Sequence, residues 1–349
     1  MPLRGPAAAA VFTELLTTGP LSRVAVAQRT GLSSAAVTKA VRPLLAAGYL
    51  DETPDRQARV VGRPASPLRV RADSASFVGV KVTDDELIGV ATDLLARPVA
   101  TARRPVRDRS VPVVVAGIAT LVAELAAPGV WGLGVSLAGD VDVATGVVHY
   151  SPFLGWRSVP LAAMVAEATG LDTVVDNDVR ALTVAQQWFG AGAGLASFAV
   201  VTVGTGVGCG LVVNGAVVEG TRGVAGEVGH VLAEPGGPRC RCGNTGCVEA
   251  IAGSDALSRE LRGGPDDERV HRRAGRAIGV ALATVANVIG PERIVLSGIH
   301  ERAEAAARET FEARSFGTPP ELVVVPLPFE EWACGAAALA VRNVIVPSR

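Results

Sequence analysis

At 349 residues, almost half of them apolar, the chain is too long for one ordinary core and fits two or three domains. The net charge of −1 hides an asymmetry: residues 1–72 carry ten Lys/Arg against four Asp/Glu, and the remainder 23 against 30. A basic N-terminal module on an acidic body points to a polyanionic partner, and five cysteines, three of them clustered, exclude a disulfide scaffold.

Residues 7–18 read as a helix with Val11, Leu15 and Leu16 on one face, ended by Gly19-Pro20. Glu14 inside this run gives it no leader layout, so no secretory signal is expected. Ser22 can cap a second helix whose apolar positions are Val24 and Ala27. Gly31 supplies a tight turn over Leu32, and Ser33 or Ser34 caps a third helix with Val37, Val41, Leu44 and Leu45 as its buried stripe. Its opposite face offers Ser34, Ala35, Thr38, Lys39 and Arg42, small and basic residues of the kind that major-groove insertion requires. Pro43 predicts a kink or an early end to this helix. The stretch "DETPDRQARVVGRPASPLRV" then reads as a two-stranded wing. Its tip carries Arg56, Arg59 and Arg63, the last in a stiff Gly-Arg-Pro suited to a narrow minor groove.

From Ser76 the pattern turns β-rich. "FVGVKV", "LIGVATDL" and "PVATARRPV" predict three strands, followed by a helix over 113–126 and the strand "WGLGVSLAG". Glu124 and Pro128-Gly129 break the most apolar part of this region, so no membrane span is expected. A hairpin around 139–150, a helix over 159–169 and the strand-to-helix stretch "LDTVVDNDVRALTVAQQWFG" follow. A second half opens at Ser197 with strand, glycine turn and strand, then a helix over 269–289, the strand "RIVLSG", a helix, the strand "ELVVVPL" and a closing helix. Two βββαβα-type lobes in tandem are the plan of the actin-like, sugar-kinase ATPase fold. The overall expectation is an α+β winged helix–turn–helix domain over 1–72, then an α/β kinase-like body over 73–349.

Three constellations carry chemistry. The turn Gly204-Thr205-Gly206-Val207-Gly208 runs into a strand and not a helix, which excludes a dinucleotide fingerprint and a P-loop but leaves a phosphate-type turn. Asp176, Asn177 and Asp178 close a strand ahead of a helix, where a carboxylate can accept a proton from an attacking sugar hydroxyl. Alone, such a turn is more often a helix cap. His230, Cys240, Cys242 and Cys247 form a Cys3His set suited to tetrahedral zinc, and four protein ligands leave no open position, so the ion is expected to be structural.

With "GEVGH" and "CRCGNTGCVE" in this spacing, the chain resembles the ROK family of repressors, sugar kinases and uncharacterised reading frames over essentially its whole length. The resemblance implies that Asn177, Asp178, Glu227, His230 and Glu249 contact a sugar between the lobes. His230 would use its other ring nitrogen for zinc, and Asp178 would be the base were the chain a kinase. Family kinases open with Asp-x-Gly-Gly-Thr, which places phosphates and metal. Here the stretch is "VGVKVTDDEL", with Lys81 at the acid's place. "LSGIH" is a poor match to the family's adenosine turn, and Phe153 stands where the family often has Asn. ATP is therefore not expected as a cofactor.

The resulting expectation is a cytoplasmic, sugar-responsive transcriptional regulator of carbohydrate metabolism, a repressor that binds double-stranded operator DNA as a homodimer or homotetramer. The alternatives are an active sugar kinase bearing a DNA-binding domain and a zinc-sensing regulator.

Overall fold

Gly19 and Gly31 punctuate three N-terminal helices: α1 (Pro6–Thr18), α2 (Arg23–Thr30) and α3 (Ser34–Ala46). The computed structural model describes residues 5–52, 66–126, 129–221, 223–261, 267–326 and 328–346. Ser22 caps α2 by accepting from the Ala25 N–H, and Ser33 does the same for α3 through Ala36. The buried residue of α2 is Val26; Val24 is 63% exposed, so the expected apolar position is shifted by two. Ala40 joins Val37, Val41 and Leu44 in the core of α3, while Leu45 is half-buried. Of the two outcomes expected at Pro43, an early end does not occur: α3 runs on to Ala46. The N–H that Pro43 lacks would have bonded the Lys39 carbonyl, and Lys39 lies on the exposed face of the helix. Strand β1 (Leu50–Glu52) pairs antiparallel with β2 (Leu68–Val70), and Leu21 bridges to Leu68. The wing tip with Arg56, Arg59 and Arg63 lies outside the described residues.

The remaining chain forms two five-stranded sheets of identical plan. In the first, β3 (Ser76–Val82), β4 (Glu86–Thr92) and β5 (Pro98–Pro105) run antiparallel. β6 (Val130–Leu137) and β10 (Thr173–Asn177) extend β3 in parallel, giving the order β10-β6-β3-β4-β5. Helix α4 (Val111–Leu125) covers one face. Between β6 and β10 come β7 (Asp140–Asp142), β8 (Val147–Ser151) and β9 (Trp156–Val159), a three-stranded sheet where the sequence predicts only a hairpin. Helix α5 (Leu161–Thr169) starts two residues later than expected, because Pro160 is its N-cap. Helix α6 (Asp178–Phe189) follows β10 directly.

The second sheet has β11 (Phe198–Val203), β12 (Val207–Val213) and β13 (Ala216–Val217) antiparallel. β14 (Arg293–Ser297) and β15 (Glu321–Val324) continue from β11 in parallel, in the order β13-β12-β11-β14-β15. Its helices are α7 (Val248–Ala252), α8 (Ser254–Leu261), α9 (Glu268–Ile289) and α10 (Glu301–Arg314), and α11 (Phe329–Ile345) closes the chain. The expectation of two βββαβα lobes holds in strand order and direction. The chain divides into two compact units: Met1–Ala181 with Trp188–Gly194 and Trp332–Arg349, and Leu182–Gln187 with Leu195–Glu331. Among the described residues no helix is long and apolar enough to cross a membrane.

One packing detail positions the first site. A Cβ on Gly79 would stand 2.0 Å from the Ala333 carbonyl oxygen, and one on Gly134 1.7 Å from that of Ala336. These two glycines, neighbours in the β3–β6 register, let α11 sit directly on the sheet backbone. Lys81, two residues beyond Gly79 on the same face, is thereby brought beneath Trp332.

Candidate functional site

In the first unit the motif residues cluster at the carboxyl ends of β3, β6 and β10. The register sets Lys81 beside Ser136 and Ser136 beside Asp176. Lys81 and Asp178 are 6% and 8% exposed and form a buried ion pair between Nζ and Oδ2. The other carboxylate oxygen of Asp178 accepts from the Val179 N–H at 2.9 Å. The Lys81 ammonium also lies 5.4 Å from the Trp332 ring centre, a cation–π contact. Asn177 caps α6: its Oδ1 accepts from Val179 and Arg180 at 2.9 and 3.2 Å, and its Nδ2 donates to the Gly139 carbonyl at 3.0 Å. Asp176 is held by Arg180, whose Nη2 also donates to the Val141 carbonyl at 2.8 Å and so ties β7 to β10. Burial pushes the Asp176 carboxyl upward and the Arg180 guanidinium opposes the shift.

The second unit holds the other motifs. "GEVGH" forms a 3-10 turn, Val228–His230, laid against β12. A Cβ on Gly226 would stand 1.9 Å from the Cys209 carbonyl oxygen, and one on Gly229 2.2 Å from that of Val207, so both glycines are required for this approach. The loop beyond is closed by bridges Leu232 to Cys247 and Arg239 to Thr245. Glu234 binds α9 through Arg273 at 2.8 and 3.1 Å.

His230, Cys240, Cys242 and Cys247 each offer one ligand atom, all within 4.8 Å of one another. His230 Nδ1 lies 3.5 Å from Cys240 Sγ, and Cys242 Sγ lies 3.7 Å from Cys247 Sγ. A tetrahedral zinc with ordinary bond lengths has edges of about 3.6 Å for N to S and about 3.8 Å for S to S, so the donor set fits that ion. Burial pushes the Cys247 thiol up to about 12 and raises Cys240 as well, a preference for the neutral thiols that a divalent cation would reverse. The other ring nitrogen of His230, Nε2, faces Glu227 Oε2 at 3.6 Å. The two nitrogens therefore look in different directions, one to the thiols and one to a carboxylate.

Cys247 leads into α7, which buries Glu249 to 7% exposure. The Glu249 carboxylate pairs with Arg241 through both oxygens, one of them a hydrogen bond from Nη2, and accepts another from the Val207 N–H in the 204–208 turn. Sequence reasoning missed Arg241 and the partnership of Lys81 with Asp178. The signal for the first was an arginine between two cysteines, followed eight residues later by an acid.

A duplicated βββαβ sheet, a strand ending in Asp-Asn-Asp, a thiol–imidazole cluster and a leading helix–turn–helix define a sugar-kinase-like fold preceded by a helical module. Residues 79–342 match the ROK family, and the chain belongs to that family. It is 28% identical over 328 residues to the DNA-binding transcriptional dual regulator NagC of Escherichia coli strain K12, covering 83% of this chain and 79% of that one. Among solved structures it superposes on a ROK family transcriptional regulator described as a homolog of E. coli Mlc. That match has a TM-score of 0.80 and 25% identity, over 97% of this chain and 95% of that chain. A ROK glucokinase from Streptomyces griseus, in complex with glucose and AMPPNP, matches with a TM-score of 0.68 and 26% identity over 76% of this chain and 99% of that chain.

Proposed function

We propose that the protein is a sugar-responsive, DNA-binding transcriptional repressor that has given up phosphoryl transfer. The observation that carries the reading is the exposed face of α3, where Ser34, Ala35, Thr38, Lys39 and Arg42 all stand open to solvent behind a Gly31 turn. The likeness to NagC and to the Mlc homolog supports it, since both are regulators and both align along most of their length. Operator DNA is the macromolecular partner, a sugar the effector, a homodimer or homotetramer the assembly, and the cytoplasm the setting. The winged domain spans 1–72 and the kinase-like body 73–349.

The ion pair of Lys81 with Asp178 argues against a kinase. A general base must present a carboxylate oxygen to the attacking hydroxyl. Here one oxygen is held by an ammonium and the other by a backbone N–H, so proton acceptance would have to displace one of them. A lysine also supplies no ligand for the magnesium that phosphoryl transfer uses. The sugar contacts we assign are Asn177 and Asp178 in the first unit and Glu227, His230 and Glu249 in the second. His230, Cys240, Cys242 and Cys247 would hold a structural zinc that orders the loop bearing Glu249, and would leave it no coordination position for substrate. The effector lowers operator affinity to the extent that it prefers the conformation that does not bind DNA.

An operator selected from random duplexes, titrated with and without glucose, N-acetylglucosamine, xylose and the hexose 6-phosphates, tests this. At least one sugar is expected to weaken binding, with no ADP release from ATP in the presence of any of them. Turnover that is lost in Asp178→Asn would establish the kinase instead.

A further inference from the structure

We propose that Arg241 is a positioning residue for ligand binding, fixing the carboxylate of Glu249 so that its Oε1 is the oxygen presented to a sugar hydroxyl. The proposal rests on the sugar-binding reading above and adds to it a residue of the cysteine motif that is neither a metal ligand nor an assigned sugar contact. Glu249 is the one buried carboxylate of the second unit among the described residues. A buried charge without compensation is costly, and Arg241 supplies that compensation as a fork: Nε to Oε1 at 2.7 Å and Nη2 to Oε2 at 2.8 Å. The Val207 N–H adds a third bond at 3.2 Å, again to Oε2. Oε2 thus serves two donors and Oε1 one, so Oε1 retains the greater capacity to accept from a ligand.

The same contacts explain the glycine turn. A Cβ on Gly206 would stand 3.0 Å from both Arg241 Nη2 and Glu249 Oε2, so the hollow of the turn is filled by this ion pair. The Val207 N–H, the kind of donor that would otherwise meet a phosphate oxygen, is spent on a carboxylate of the protein itself. Arg241 lies between Cys240 and Cys242, whose sulfurs converge on one point. Its backbone is therefore fixed on both sides wherever the metal loop is ordered, and the fork passes that order on to Glu249. An ordinary surface pair would do none of this: the Arg241 side chain is 42% exposed, and exposed pairs contribute little.

Arg241→Ala and Arg241→Lys separate the two cases. The expected result is unchanged zinc content by elemental analysis and faster amide exchange in the peptide spanning 204–209 for Arg241→Ala. Affinity for glucose or N-acetylglucosamine, measured by calorimetry, is expected to fall about tenfold or more. Arg241→Lys restores charge but not the fork and should recover only part of the affinity. Exchange and affinity both unchanged in Arg241→Ala would overturn the proposal. Faster exchange, with a wild-type protein that takes up neither sugar, would overturn the sugar-binding reading and the ligand role with it, while the hold on Glu249 would stand.

Discussion

A lysine near the end of an interior strand must find an acceptor for its ammonium, and in this chain Lys81 finds Asp178 beneath the Trp332 ring. Removing only the cation leaves a buried carboxylate without its partner. Lys81→Met should therefore cost about 3–5 kcal/mol, read as a lowered urea midpoint of the first unit. Lys81→Met combined with Asp178→Asn removes both charges and should recover most of that loss. A double variant no more stable than the single would show that the pair is not what holds the site together. The absence of an acid at position 81 is legible in the sequence, but its new partner, 97 positions away, is not, because only the β3–β6–β10 register brings the two together. The Cys3His set is legible for the opposite reason: its spacing is local and its chemistry has few other uses.

Among the elements, α3 shows how far periodicity reaches. Its exposed face follows from the helical repeat, and Ser33 caps it as expected, whereas its passage through Pro43 goes against local propensity. The small β7–β8–β9 sheet escaped for a related reason. Trp156–Val159 is four residues long with a buried residue only at each end, too short for alternation to register. The role of α3 can be measured through salt. A variant that no longer neutralises one phosphate should flatten the slope of log affinity against log salt by about 1. Lys39→Ala is expected to do this and to weaken all DNA sequences alike, while Arg42→Ala, if it reads a base, should relax preference at one position of the selected operator. A slope unchanged in both variants would place the DNA elsewhere than on α3.

Across the whole molecule, the proposed sugar site can govern the proposed DNA-binding helix only if some element reaches both. Within the first unit, β6 is placed to do so. At its start Trp131 packs edge-to-face on Tyr49, the residue just before β1, with ring centres 5.5 Å apart. At its far end, roughly 20 Å away at strand rise, Ser136 and Leu137 lie in register with Lys81, Asp176 and Asn177. The module is further tied to the sheet by the Leu94 N–H on the Ala72 carbonyl at 3.0 Å. Backbone bonds of this kind fix position, whereas the Tyr49–Trp131 contact is a side-chain pair. Coupling through it would require a second packing of this pair, which Trp131→Ala tests. Trp131→Ala should leave operator affinity and sugar affinity each nearly intact when measured alone. The ratio of operator affinities without and with sugar, ordinarily about 5- to 150-fold for a coupled pair of sites, should fall toward one. A ratio equal to that of the wild type would mean that β6 positions the module without transmitting the ligand's effect.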